Sequence, residues 1–82
     1  MRKDIKTIIL RKLRRRGYIG GRHTSIVNLP KGLPADLRGE AKAAVKELVQ
    51  DDLILAKPTH DGLHVSLNPR KMDEINSLLY GD

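Results

Sequence analysis

The stretch that most limits how this chain can fold is 35–67. Across 35–51, Leu37, Ala41, Ala44, Val45, Leu48 and Val49 recur on one arc of a helix. With almost no gap the period then changes. Residues 53–57 are a β-type run, Pro58-Thr59-His60-Asp61-Gly62 is dense in turn formers, and Leu63-His64-Val65-Ser66-Leu67 alternates apolar and polar side chains as a half-buried strand does. The sequence therefore predicts a helix over 35–51 that runs directly into a β-hairpin over 53–67, joined by a tight Asp61-Gly62 turn. That order of elements, more than any single residue, restricts the fold.

The flanking segments read as helices. Over 4–16, Ile5, Ile8, Ile9 and Leu13 line one arc, and Lys3, Thr7, Arg11, Arg14 and Arg15 fall opposite. Gly17 is placed to stop this helix in the left-handed conformation, with the Arg14-Arg15-Arg16 cluster at its negative end. Residues 18–23 form a connection through Gly20-Gly21 that has room for a short strand. Thr24 can cap a short second helix over 24–29, ended by Pro30 and Gly32. Pro34 suits the first turn of the third helix, with Asp36 near its positive end, whereas Asp51-Asp52 is unfavourable at its other end. Asn68 followed by Pro69 opens a last helix over 69–80, whose Met72, Ile75, Leu78 and Leu79 either complete the core or pair with a second copy in a homodimer.

Eighty-two residues make one small domain. The absence of Cys removes disulfides, thiolate metal sites and thiol nucleophiles, which fits a cytoplasmic setting. No apolar run is long enough to span a bilayer, and Ile8-Ile9-Leu10 is too short for a signal-peptide core, so no membrane role is expected. The formal net charge is +6, and its distribution is uneven. Residues 1–22 carry nine Lys/Arg against one acid, and residues 23–82 carry seven against nine, so the basic character is local. A basic segment of this kind suits a polyanionic partner. The alternative is that a highly charged surface serves solubility or thermophily.

The predicted order is helix, short strand, helix, helix, strand, turn, strand, helix. With Glu40-Ala41-Lys42-Ala43-Ala44-Val45-Lys46-Glu47-Leu48-Val49-Gln50-Asp51-Asp52-Leu53-Ile54, it resembles the winged helix-turn-helix superfamily. The segments Gly20-Gly21-Arg22-His23-Thr24 and Leu63-His64-Val65-Ser66-Leu67-Asn68-Pro69 are similar to short winged-helix proteins of archaea. The resemblance implies an α+β winged helix-turn-helix with a three-helix core, a β-hairpin wing and an additional C-terminal helix. It implies docking on double-stranded DNA as a transcription regulator or chromatin-associated factor. It supplies no catalytic residues.

On the third helix Arg38, Lys42 and Lys46 are spaced i, i+4, i+8 beside Gly39 and Ala43. A stripe of cations next to small side chains could approach a major groove closely. The same residues, mixed with Glu40 and Glu47, could form a solvated face. Lys57 and His60 could touch nucleic acid from the hairpin, although Asp61 at its tip disfavours deep insertion. Arg14, Arg15, Arg16, Arg22, His23 and Thr24 lie where phosphate contacts are reasonable. If the basic first helix is remote from the third, it could instead bind structured RNA or an acidic protein in a translation or nucleoprotein complex, or merely meet solvent. His60 and His64 could approach each other across the turn, but no third ligand is evident, so no metal site is expected; His64 reads as an outward strand residue. Ser25, Ser66 and Ser77 sit in no nucleophile-elbow context, and no phosphate-binding glycine pattern occurs, so neither an enzyme nor a cofactor is expected. Tyr18 and Tyr80, the only aromatics among Phe, Trp and Tyr, make no base-stacking platform.

Overall fold

The computed structural model describes residues 5–31 and 33–81. The expected helix start at Asp4, the place of Lys3 on the outer arc and the part of Gly32 in ending the second helix lie outside these residues. The described chain is α+β, with three α-helices and a three-stranded antiparallel sheet. Among the described residues no helix is long and apolar enough to cross a membrane.

Helix α1 (Ile5–Arg16) buries Ile9, Leu10 and Leu13. It packs against two further helices and the central strand, so its covered arc is wider than periodicity suggests and is displaced toward Leu10. Ile8, expected in the core, is only half-buried. The helix ends in a Schellman arrangement: Tyr18 N–H donates to Leu13 O at 3.0 Å, Gly17 N–H donates to Arg14 O at 3.2 Å, and Gly17 takes φ 73.

Residues 24–29 do not form the expected second α-helix. Thr24–Ser25 is strand β1, and Ile26–Asn28 is one 3-10 turn. Its N-cap is Ser25 rather than Thr24, with Ser25 Oγ accepting from Val27 N–H at 3.4 Å. The adjacent β-branched Ile26 and Val27 disfavour a helix. Pro30 prevents its extension. Pairing of Thr24 with Val65 and Ser25 with His64 draws the segment onto the sheet.

The third helix is also shorter than expected. Residues Ala35–Glu40 are 3-10, and the α-helical part, α2, is Ala41–Gln50. Gly39 at this junction is a weak helix former, and Pro34 offers no side-chain cap. Helix α2 buries Ala41, Ala44, Val45 and Leu48. Its C-terminal acids have a backbone explanation. Leu53 N–H reaches Leu48 O at 3.0 Å, Asp52 N–H reaches Val49 O at 3.0 Å, and Asp52 has φ 62. This is the same Schellman closure as in α1, with Asp52 in the place of the glycine and with Leu48 and Leu53 both buried.

Strands β2 (Ile54–Thr59) and β3 (Gly62–Leu67) pair from Ile54 with Leu67 to Thr59 with Gly62. The turn is therefore His60-Asp61, one residue earlier than expected, and Gly62 with φ 109 already belongs to β3. Thr59 Oγ1 accepts from Asp61 N–H at 3.1 Å and donates to Gly62 O at 2.8 Å, which holds the turn. The sheet order is β1-β3-β2. Because β3 is central, its expected alternation fails at one end, where Val65, Ser66 and Leu67 are all buried.

Asn68 Oδ1 accepts from Arg70 N–H at 3.0 Å and opens a 3-10 turn, Pro69–Lys71, which leads into α3 (Met72–Tyr80). Ile75 and Leu79 are buried, but Leu78, expected on the same face, is 54% exposed.

The two helix ends differ by one side chain, and this sets a test. Asp52→Gly should stabilise the chain by about 0.5–1 kcal/mol by removing a Cβ from the left-handed region and an acid from a helix C-terminus. Gly17→Ala should destabilise it by roughly 1–2 kcal/mol. Urea denaturation of both variants measures the opposed signs.

Candidate nucleic-acid interface

Helix α2 presents its polar arc to solvent because its four buried residues commit the opposite arc to the core. Ala43, Lys46 and Gln50 are exposed and spaced i, i+3, i+7, so they form the outward ridge, with exposed Lys42 on one flank and Glu47 on the other. Glu47 Oε1 lies 3.4 Å from Lys6 Nζ on α1, so the acid is drawn toward the neighbouring helix. Nothing lies within 4 Å of the position a Cβ on Gly39 would take, so the approach to the N-terminal end of α2 is open.

Arg38 does not extend this ridge as a third α-helical position. It lies in the 3-10 segment, and its Nε donates to Leu33 O at 3.3 Å, tying the segment to the preceding loop. Lys57 and His60 are exposed on β2 and its turn.

The basic residues around α1 separate into different environments. Arg14 Nε donates to Asn76 Oδ1 at 3.3 Å, so Arg14 faces α3 and is not grouped with Arg15 and Arg16. Arg11 reaches Leu79 O at 3.3 Å, near the negative end of α3. Arg22 folds back with its guanidinium carbon 5.4 Å from the centroid of the Tyr18 ring. Thr24 is buried in β1 and its Oγ1 accepts from Asn28 Nδ2 at 3.1 Å, which removes it from phosphate contact.

Arg15 and Arg16 instead line an open cleft of about 580 Å³ between α1 and the loop before α2, together with Arg11, Lys12 and Lys31. Its apolar lining includes Ile8, Leu13, Leu29 and Leu33. Lys12 latches the two walls together. Its Nζ donates to Asn28 O at 2.7 Å, to Leu29 O at 3.4 Å and to Lys31 O. Burial pushes the Lys12 ammonium below its ordinary pKa, and the charges of Arg16 and Lys31 push the same way. Periodicity gave no sign of this role, because the carbonyls lie 16 to 19 residues further along the chain.

The histidines also pair differently from expectation. His60 does not meet His64; His23 does, with the two Nδ1 atoms 2.9 Å apart and the rings edge-to-face. One nitrogen donates and the other accepts. His64, opposite exposed Lys57 in the ladder, is half-buried, and its buried Nε2 finds no partner among the described residues. Among those residues no group of three or more His, Cys, Asp or Glu is placed to hold a metal ion.

Comparison with known proteins gave no match to a family model, a curated protein or a solved structure.

The latch is testable through its lost hydrogen bonds. Lys12→Met should lower stability at neutral pH by about 1–2 kcal/mol. The folded chain releases the Lys12 proton earlier than the unfolded chain does, so this group favours folding increasingly as pH rises from its lowered pKa toward the ordinary lysine range. The stability gap between wild type and variant should therefore widen over that window, measured by denaturation at stepped pH.

Proposed function

We propose that the chain is a winged helix-turn-helix module that docks α2 in the major groove of double-stranded DNA. The observation that carries this reading is the exposed ridge Ala43-Lys46-Gln50 with Lys42 beside it, on a helix that leads directly into the β2–β3 hairpin. The sheet order β1-β3-β2 supports the same reading, because it leaves β2 at one sheet edge, joined to the central β3 by the turn that would form the wing tip. The 3-10 turn Ile26–Asn28 then stands where such a module carries its second helix.

In this reading Lys42 and Lys46 supply charge at the groove, and Gln50 can exchange hydrogen bonds with a base edge. The ion pair with Lys6 partly neutralises Glu47 beside this ridge. Lys57 and His60 contribute phosphate or minor-groove contacts from the wing. Arg38 holds Leu33 O through Nε alone, so its terminal guanidinium N–H groups could still meet a phosphate. The chain would act as a transcription regulator or chromatin-associated factor, and Leu78 and Tyr80, 54% and 64% exposed on α3, would be the surface for a second copy.

The test is a duplex titration across salt concentrations. The double variant Lys42→Ala, Lys46→Ala should weaken binding at least ~10-fold and flatten the log–log salt dependence by about two. Arg14→Ala should leave that slope unchanged. Undiminished duplex affinity in the lysine double variant would sink this reading.

A further inference from the structure

We propose that the cleft between α1 and the loop before α2 is a binding site for a small amphiphilic anion, a carboxylate or phosphate head on an apolar body. Three observations meet here. The first is charge without compensation: five cationic side chains line the cleft, and none of the described residues lining it is acidic. Lys12 is committed to the loop carbonyls and Arg11 to Leu79 O, which leaves the exposed Arg15, Arg16 and Lys31 to meet a ligand head group.

The second observation is Ile8. Its helical position suggests the core, but it stays half-buried and lines the cleft. Below it lie the buried Leu13, Leu29 and Leu33, so the cleft combines an apolar floor with a cationic rim. A volume near 580 Å³ falls within the range of small-molecule sites. A phosphodiester strand has no apolar body to set against this floor, whereas an amphiphilic anion satisfies both parts at once.

The third observation is at Lys12, whose pKa is lowered by burial and, beyond that, by the neighbouring charges of Arg16 and Lys31. An anion at the rim would relieve that repulsion. The site also adjoins the proposed interface: Leu33 lines the cleft with its side chain and accepts from Arg38 with its carbonyl.

The experiment is a ¹H–¹⁵N titration of the full chain with decanoate below its micelle concentration, alongside acetate and decyltrimethylammonium. Decanoate should shift the amides of Ile8, Arg15, Leu29 and Lys31 saturably, and the other two should not. Arg15→Gln, Arg16→Gln should raise the decanoate Kd about tenfold, since two exposed charges at the rim contribute roughly that much. Equal shifts with the cationic amphiphile, or an unchanged Kd in the glutamine variant, would overturn the proposal. So would a duplex DNA or structured RNA that shifts these amides and displaces decanoate. These readouts are independent of Lys42 and Lys46, so the DNA reading can fail without this one failing, and the reverse.

Discussion

The backbone of Leu67 ties together segments from both ends of the chain. Its N–H donates to Tyr18 O at 2.8 Å and its carbonyl accepts from Gly20 N–H at 3.0 Å, while on its other side the residue pairs with Ile54. The exit of α1, the start of β2 and the approach to α3 are thereby fixed to one fully buried residue. Asn68 extends the junction, with its N–H on Leu53 O at 3.0 Å and its Nδ2 on Asp52 O at 2.8 Å. Because Leu67 is fully buried, breaking either of its bonds to Tyr18 or Gly20 leaves a backbone polar group without water. The relative placement of α2 and the hairpin follows from this junction.

Much of this framework was legible in the sequence because it is local. The helical period of 5–16, the left-handed stop at Gly17, the apolar arc of α2 and the Asn68-Pro69 start are all decided within a few residues. Where the reading failed, distant partners decided. Thr24 and Ser25 became a strand because β3, some forty residues later, offers an edge to pair with. Ser66 is buried because that same pairing makes β3 the central strand. Asp52 looked unfavourable by charge, but its backbone conformation explains its position.

The candidate site divided along the same line. Exposure of Lys42 and Lys46 follows from the local pattern, because the apolar arc of α2 lies opposite them. The fates of the arginines depend on which element stands opposite each one. Arg14 turns to Asn76, Arg22 lies over Tyr18, and Arg15 and Arg16 line a cleft whose other wall is held by Lys12. A run of three arginines is thus a single feature in sequence and two separate surfaces in space.

If α2 docks on DNA as proposed, its brevity limits how many base pairs one molecule could read. Ten α-helical residues extend about 15 Å. Docked as proposed, such a helix would face about four base pairs at 3.4 Å each. Four positions distinguish only about 250 sequences, so matching words would recur every few hundred base pairs, far too often to mark one locus among the ~10⁶ or more sites of a genome. A single copy would then coat DNA with mild preference. Two copies reading adjacent words would distinguish only about 65,000 sequences, still fewer than those sites, so an unambiguous address would require three or more copies, and the number of molecules engaged, rather than the chemistry of any one contact, would set the selectivity of this protein.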